Sequence, residues 1–139
     1  MTQKHFLACR MSKQEFISVM TGVAWVNRAI SWDAVDCWGL IVMYYRHVIG
    51  LEFPPNNNYS AGSDFDCSFS YGIKFWEQAD KFDGCMFVGY SGKNPVHVGL
   101  ILDGRCFHAR SEGSHVRMDN IRTLERVFTK LEFFKYATH

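Results

Sequence analysis

The stretch VDCWGLIVMYYRHVIG, from Val35 to Gly50, places a thiol at the start of a dense apolar segment. Asp36 is a favourable N-cap residue, so the pattern predicts a helix from Cys37 to about His47 that ends at Gly50. Apolar side chains occur nearly all round this helix, which is typical of a buried central helix. The first N–H groups of a helix have no partner within it, and they and the dipole would stabilise a thiolate at Cys37. Cys37 is therefore a candidate nucleophile, and its own N–H is a candidate donor to an oxyanion.

The composition favours a single globular domain over residues 1–139. The chain has 139 residues and is 47% hydrophobic and 16% aromatic, which is ample for one packed core. The formal net charge of +1 gives no basic excess for nucleic acid. The longest apolar run, from Cys37 to Tyr45, is too short to cross a membrane, and the N-terminus shows no secretory stretch. We therefore expect no nucleic-acid partner, no membrane partner and no export signal.

The cysteines do not form a recognisable framework. There are five, and no pair has the spacing of a CxxC motif. An odd count without paired spacing argues against a disulfide scaffold and against a zinc ribbon. We expect the four cysteines other than Cys37 to be reduced and mostly buried. Those four are Cys9, Cys67, Cys85 and Cys106.

The first half of the chain reads as helical. Ser12 and Glu15 have capping-box spacing in front of an apolar stripe, which predicts a helix from about Lys13 to Trp25. Residues 27–35 are expected to form a connection. Regular structure is expected to break at residues 54–58, and a short helix is a candidate for Phe69 to Ala79.

From Asp83 onward the pattern changes to strands. The dipeptide Asp103-Gly104 between two apolar runs is a strong hairpin signal. Helices followed by a run of strands favour an α+β fold with an antiparallel sheet. The remaining turn is expected at residues 90–94, and the predicted strands are Cys85–Val88, Val96–Leu102, Arg105–Ala109, Val116–Met118 and Leu131–Tyr136.

The hairpin supplies a partner for the thiol. With a two-residue loop, Gly99 lies opposite His108, and His97 shares the face of Gly99 and His108. His97 and His108 are then diagonal neighbours about 7–8 Å apart at Cα. Gly99 has no side chain, which leaves room for His108 to lean towards His97. If the helix of Cys37 packs on this face, the three residues form a nucleophile, a base and an orienting group.

Two other interpretations of the same residues remain open. Taken alone, Cys37 is more often a core cysteine, and a histidine on a strand is more often a satisfied polar residue. A zinc-binding Cys37/His97/His108 site is the second alternative, since three ligands and an open position suit catalytic zinc. Neither a nearby carboxylate nor paired spacing supports it, so we expect no metal and no cofactor.

The motifs resemble those of one peptidase family. Asp36-Cys37-Trp38-Gly39-Leu40-Ile41 resembles the D-C-x-G-L-V signature of the NlpC-type papain-like cysteine peptidases, which are cell-wall endopeptidases. His97-Val98-Gly99-Leu100-Ile101-Leu102 resembles their H-V-G-I-Y-L strand, and Phe107-His108-Ala109 their F-I-H-A element. Phe82–Phe87 resembles their G-D-L-V-F-F strand. The matches follow the family order from about Lys13 to Met118.

This resemblance implies a fold, a mechanism and a substrate. The fold is an α+β, papain-like one, with the nucleophile at a helix N-terminus packed on an antiparallel sheet. Cys37 is the implied nucleophile, His97 the base and then the acid, and His108 the orienting residue. The residues expected at oxyanion and substrate-binding positions are Asp36, Trp38 and Gly99. The implied partner is a peptidoglycan stem peptide, cut between D-glutamate and the diamino acid.

The resemblance also indicates where the protein works. Trp38 and Val96 occupy positions that are serine in common wall-remodelling members, and no tyrosine precedes Cys37 as it usually does in the family. The D-C-W-G-L form is similar to that of the bacteriophage tail-associated branch. We therefore expect synthesis in the host cytoplasm, incorporation into the virion with other tail proteins, and action at the host cell wall. The expected docking surfaces are Met1–Met11 and Leu131–Tyr136. The alternative is a tail-tip assembly protein that needs no catalysis.

Overall fold

The computed structural model describes residues 10–54, 69 and 72–137. The described chain divides into two compact units. The first contains residues 10–54 and Ala109–Val116, and the second contains residues 72–108 and 117–137. A single domain over residues 1–139 stays a prediction, and residues 1–9 of the expected docking extension lie outside the described residues. Within the described residues, no helix has the length and apolar character needed to cross a membrane.

Helix α1, Lys13–Met20, begins at the predicted capping box. The Ser12 hydroxyl accepts the Glu15 N–H at 3.1 Å, and Glu15 Oε1 accepts the Ser12 N–H at 2.8 Å. The predicted extension of this helix to Trp25 is wrong. Thr21 adopts an extended backbone conformation, and Gly22 has a φ of 91°, a left-handed conformation that glycine adopts without a steric penalty. The chain therefore leaves the helix after Met20.

A short parallel pair follows where we had expected the end of the helix and a connection. Strand β1, Ala24–Trp25, pairs with β2, Ala34–Val35, so that Trp25 lies beside Val35. The segment 109–116 flanks β1, because the Trp25 N–H donates to the Ser114 carbonyl at 3.0 Å. Two-residue strands held by distant partners leave no periodic signal in a sequence.

Helix α2, Cys37–Tyr44, begins at Asp36 as predicted. It continues as a π-helical turn over Tyr45–Ile49 and ends at Gly50, whose φ of 87° is left-handed. Seven of its eight residues are buried, which confirms the prediction of a buried helix. Helix α1 packs on it through Phe16, whose ring meets that of Tyr44 edge to face at 5.2 Å.

The second unit is built on a six-stranded antiparallel sheet. The strands are β3 Trp76–Gln78, β4 Met86–Ser91, β5 Asn94–Leu102, β6 Arg105–His108, β7 Arg117–Asp119 and β8 Lys130–Tyr136. Their order in the sheet is β3-β8-β4-β5-β6-β7. Helix α3, Ile121–Val127, which we had not predicted, connects β7 to β8. Together with the helices of the first unit, this sheet confirms the α+β class.

Two local predictions in this unit need correction. The helix expected at Phe69–Ala79 is wrong from Ile73 onward, where a 3-10 turn, Ile73–Phe75, leads into β3. The turn expected at residues 90–94 is only Gly92-Lys93, because β4 and β5 extend to it. Leu131–Tyr136 lies in β8, which is paired on one side with β3 and on the other with β4, so it offers no free strand edge, and its role as a docking surface stays a prediction.

The core of the second unit contains two of the cysteines. Cys85 and Cys106 are fully buried beside Phe87, Ile101 and Phe128. Burial raises the pKa of the Cys85 thiol, and it raises the pKa of Cys106 to about 12. Both thiols therefore stay protonated at neutral pH, in agreement with the structural role predicted for them. Cys9 and Cys67 lie outside the described residues.

Candidate active site

The start of α2 is fixed by a buried carboxylate. Asp36 Oδ1 accepts the Gly39 N–H at 2.7 Å, and Oδ2 accepts the Arg28 N–H at 2.8 Å. One side chain thus caps the helix and ties the preceding loop to it. Arg28 has a φ of 63°, uncommon for a residue with a side chain, and the bond to Asp36 helps to hold it there. Asp36 thereby positions the residue that follows it, Cys37.

Cys37 is the first residue of α2, and it is only 8% exposed. The loop approaches the helix so closely that a Cβ at Gly39 would collide with the Ala29 carbonyl oxygen. Only glycine fits at this position, because the clash would be with backbone. The helix turn that carries the thiol is therefore held by a cap on one side and by close backbone packing on another.

Trp38 and Trp25 are two aromatic residues of the first unit, which also contains Cys37. Trp38 is partly buried and stacks on Phe53, with ring centroids 6.0 Å apart. Trp25, which we had not selected from the sequence, buries its indole Nε1, and that donor has no hydrogen-bond partner among the described residues. An unsatisfied buried donor costs roughly 1–3 kcal/mol and is uncommon in a native protein. Trp25 lies on β1 and pairs with Val35 of β2. Val35 precedes Cys37 by two residues in the sequence.

The two candidate histidines lie in the sheet of the second unit. His97 is on β5 opposite Gly89 of β4 and is 3% exposed. Its ring stacks on Phe128, with centroids 5.6 Å apart and planes 13° apart. A Cβ at Gly89 would lie about 2.9 Å from the Phe128 ring, so glycine there admits the stacking partner. Sequence reasoning missed both Gly89 and Phe128, because only the folded sheet brings them to His97.

The hairpin places His108 beside His97, as predicted. Asp103 and Gly104 have φ values of 54° and 75°, as in a type I′ turn, and Leu102 lies opposite Arg105. His97 Nε2 lies 2.9 Å from His108 Nδ1, and the two ring centroids are 5.1 Å apart. The two imidazoles are thus directly hydrogen-bonded, which confirms the geometry computed from the loop length.

Gly99 makes this approach sterically feasible. A Cβ there would lie 2.5 Å from the Phe87 ring and 2.8 Å from the Cβ of His108. The prediction that Gly99 leaves room for His108 is therefore confirmed, and Phe87 uses the same space. A role for Gly99, Asp36 or Trp38 in binding substrate stays a prediction.

Asp119 extends the histidine pair to a chain of three side chains. Its Oδ2 lies 2.8 Å from His108 Nε2 and 2.9 Å from Arg117 Nε. Burial alone would raise the pKa of Asp119, but the hydrogen bonds from His108 and Arg117 outweigh it and lower that pKa. The sequence analysis missed this residue because the strand predicted at Val116–Met118 stopped one position short. Extending that strand beside His108 would have found it.

The described part of the chain contains no ligand cluster that would support the zinc alternative. No group of three or more histidine, cysteine, aspartate or glutamate side chains there has an arrangement that suits a metal ion. His97 Nε2 and both ring nitrogens of His108 are used in hydrogen bonds. The absence of a metal requirement stays a prediction for experiment.

Comparison with solved structures supports the fold. The NlpC/p60 domain of the peptidoglycan hydrolase SagA is similar at a TM-score of 0.58 and 19% identity, over 87% of this chain and 92% of that one. A lipoprotein-like member of the NLP/P60 family from Staphylococcus aureus subsp. aureus Mu50 is similar at a TM-score of 0.50 and 15% identity, over 86% of this chain but 38% of that one. No curated protein sequence matches.

These likenesses confirm the α+β, papain-like fold that the sequence motifs implied. The family assignment comes from the sequence itself. The model of the NlpC/P60 family matches residues 22–131, a span that contains Cys37, His97, His108 and Asp119. That span is well over half of the chain. The protein therefore belongs to the NlpC/P60 family.

Proposed function

We propose that this protein is a cysteine peptidase that hydrolyses the peptide of peptidoglycan. The observation that carries the proposal is the direct hydrogen bond between His97 and His108, in a family member with a cysteine at a helix N-terminus. A solved relative, the SagA domain, is described as part of a peptidoglycan hydrolase. A buried imidazole pair of this kind suits a base and its orienting group.

The proposed reaction has two halves. His97 takes the proton of Cys37, and the thiolate attacks the carbonyl carbon of the scissile amide. Backbone N–H groups at the start of α2 stabilise the oxyanion. His97 then gives the proton to the leaving amine, and a thioester remains on Cys37. Water, deprotonated by His97, hydrolyses the thioester and regenerates the thiol. His108 holds the His97 ring throughout.

For the bond cleaved, we propose the link between D-glutamate and the diamino acid of the stem peptide. Support comes from the resemblance of the segments around Cys37 and His97 to wall endopeptidases. Purified muropeptides of defined structure, analysed by mass spectrometry after incubation, identify the bond. Cleavage only at another bond of the stem peptide would contradict the proposed bond, but the protein would still be a peptidase.

A panel of variants tests the peptidase activity. Cys37→Ala and His97→Ala should each reduce muropeptide cleavage by roughly 10³-fold or more, because residues that act as a unit fail together. Cys85→Ala is the matched control, since it removes a buried thiol of the second unit and should affect stability more than turnover. Full cleavage by Cys37→Ala would contradict the proposal.

We further propose that the protein acts from a bacteriophage tail. Support comes from the D-C-W-G-L form at residues 36–40. Purified virions should contain the protein, as detected by mass spectrometry together with known tail components. Its presence only as free protein in infected-cell lysates would contradict the tail location and leave a lysis enzyme. Normal infectivity of phage carrying Cys37→Ala would favour the alternative of an assembly role.

A further inference from the structure

We propose that Asp119 is a positioning residue that fixes the tautomers of both histidines, so that His97 presents Nδ1, and not Nε2, to the proton it accepts. The inference deepens the proposed function and rests on it for its catalytic meaning. Its structural content concerns only the second unit, in which Asp119, His108 and His97 are joined by two short contacts.

The carboxylate of Asp119 sets the direction of the hydrogen bond to His108. An ionised carboxylate can accept hydrogen bonds but cannot donate them. Asp119 Oδ2 lies 2.8 Å from His108 Nε2, so this nitrogen must carry the hydrogen of the contact. Arg117 donates to both oxygens of Asp119, with contacts of 2.9 Å each, which favours the ionised form. The carboxylate is thereby held as an acceptor facing His108.

The tautomer of His108 in turn determines the tautomer of His97. A neutral imidazole carries one N–H, so His108 Nδ1 is an acceptor once Nε2 carries the hydrogen. His97 Nε2 lies 2.9 Å from that acceptor and must therefore donate to it. The Nε2–H tautomer leaves the lone pair of neutral His97 on Nδ1. Without Asp119, the direction of the whole chain is undetermined, because each histidine contact works equally well in reverse.

Burial and ring packing hold the two histidines and Asp119 in this hydrogen-bonded arrangement. His108 is 1% exposed and Asp119 is 14% exposed, so water competes little for their contact. His97 is stacked on Phe128 and meets Phe87 edge to face, which fixes the plane of its ring. A half-turn of the His97 ring would remove Nε2 from His108 and break the bond. The packing therefore fixes the orientation in which Nε2 of His97 faces His108, and Asp119 decides which of the two nitrogens in that contact carries the hydrogen.

The chain also stabilises the charge that catalysis creates. When His97 takes the thiol proton on Nδ1, it becomes an imidazolium that still donates from Nε2 to His108. His108 remains neutral and continues to donate to Asp119. The negative charge of Asp119 then lies one imidazole away from the new positive charge, in a buried setting where its attraction is weakly screened. No proton needs to move along the chain.

Histidine nitrogen NMR tests the tautomers without any substrate. The measurement uses ¹⁵N-labelled Cys37→Ala protein, which removes the thiol's own proton exchange with His97. Spectra are recorded near pH 8, well above the ordinary histidine pKa of about 6.5. We expect both His97 and His108 to show a protonated Nε2 and an unprotonated Nδ1. A protonated Nδ1 on His97 in this protein would overturn the proposal.

Substitutions of Asp119 test whether its carboxylate determines the two tautomers. Asp119→Asn can donate from its amide to His108 Nε2, so both histidines should shift towards the Nδ1–H form. In the background that keeps Cys37, the same change should lower kcat by roughly 10-fold or more, because a base held in the wrong tautomer cannot accept the thiol proton. Asp119→Glu retains the acceptor and should keep the native tautomers and most of the activity.

Glu132→Gln is the matched control. Its carboxylate is partly buried in the same unit and accepts a hydrogen bond from Tyr90 at 2.7 Å, away from the histidines. It should leave both the tautomers and kcat unchanged. Native tautomers and full activity in Asp119→Asn would overturn the inference. If instead the tautomers shift as expected but the protein with Cys37 cleaves no muropeptide, the proposed function fails and the role of Asp119 in fixing the tautomers stands.

Discussion

At the scale of single residues, the histidine pair depends on neighbours that carry no reactive group. Gly99 leaves the space in which Phe87 and His108 lie, and Gly89 leaves the space for the ring that stacks on His97. Neither glycine has a positive φ, so their role is close packing and not an unusual backbone conformation. The geometry of the imidazoles is therefore sensitive to single methyl groups.

This sensitivity predicts the effect of Gly99→Ala. The new Cβ would lie less than 3 Å from both Phe87 and His108, so one of them must shift. Overpacking of this kind typically costs about 1–3 kcal/mol. The free energy of unfolding, measured with urea, should fall by that amount, and cleavage should fall with it. Val96→Ala, on the exposed part of the same strand, is the control and should change stability by less than about 0.5 kcal/mol. Equal stability of Gly99→Ala and the native protein would contradict the packing account.

Asp119 gives a second prediction, for acid stability. Its pKa is lowered in the folded protein, with burial outweighed by hydrogen bonds from His108 and Arg117. A lowered folded pKa contributes stability that is present above the unfolded value of about 3.8 and lost as pH falls through the folded value. The native protein should therefore exceed Asp119→Asn in stability at pH 7, and this difference should shrink below about pH 4.

Urea midpoints at a series of pH values measure this difference. Glu77→Gln is the control, because Glu77 belongs to an exposed ion pair of 3.8 Å that contributes little to stability. A stability difference between the native protein and Asp119→Asn that stays constant down to pH 3 would show that Asp119 acts through packing and not through its charge.

At the scale of elements, two helices begin with side-chain caps of different kinds. Ser12 caps α1 at the surface through a capping box. Asp36 caps α2 in the interior and also holds the N–H of Arg28. Removal of the Asp36 side chain leaves the N–H groups of Gly39 and Arg28 without an acceptor. At the exposed N-terminus of α1, water can replace the Ser12 hydroxyl. The two caps should therefore differ in their contribution to stability.

We predict that Asp36→Ala costs more than Ser12→Ala. Loss of an ordinary N-cap costs about 1 kcal/mol, and a buried donor left unsatisfied adds roughly 1–3 kcal/mol. Chemical denaturation of the two variants gives the comparison directly. Asp36→Asn, which keeps one acceptor, should lie between the native protein and Asp36→Ala. Equal losses for Ser12→Ala and Asp36→Ala would show that the loop at Arg28 does not depend on the carboxylate.

Local signals account for the elements that the sequence analysis predicted. The capping box, the Asp36 cap, the end at Gly50 and the Asp103-Gly104 turn are each defined within a few residues. The Asp103-Gly104 turn also sets the register of β5 and β6, which places His97 beside His108. These features are decided by backbone geometry that a short segment imposes, so they could be inferred without the fold.

The elements and contacts that were missed depend on distant partners. Strands β1 and β2 are two residues long and exist because they pair with each other and with residues 109–116. Asp119 reaches His108 only through the pairing of β7 with β6. Phe128 follows a helix that the sequence did not predict. For Asp119 the strand predicted at Val116–Met118 was an incomplete signal. The other contacts have no periodic or motif signal that could reveal them from one sequence.

At the scale of the whole molecule, the proposed reaction draws on both compact units. The first unit supplies the thiol of Cys37 at a capped helix start, and the second supplies His97 with its supporting chain. The family model spans both contributions. The central claim is that His97 deprotonates Cys37, which makes the thiol reactive at neutral pH.

The rate at which iodoacetamide alkylates Cys37 near pH 7 tests this claim most directly. An isolated thiol with a pKa of about 8.5 is only a few per cent ionised there, so a thiol paired with His97 should react about 10-fold faster or more. Cys85 and Cys106, whose pKa values are raised by burial, report in the same experiment whether each variant stays folded. We predict that His97→Gln slows alkylation of Cys37 by about 10-fold or more while Cys85 and Cys106 stay unreactive. Equal rates at Cys37 in the native protein and His97→Gln would contradict the account.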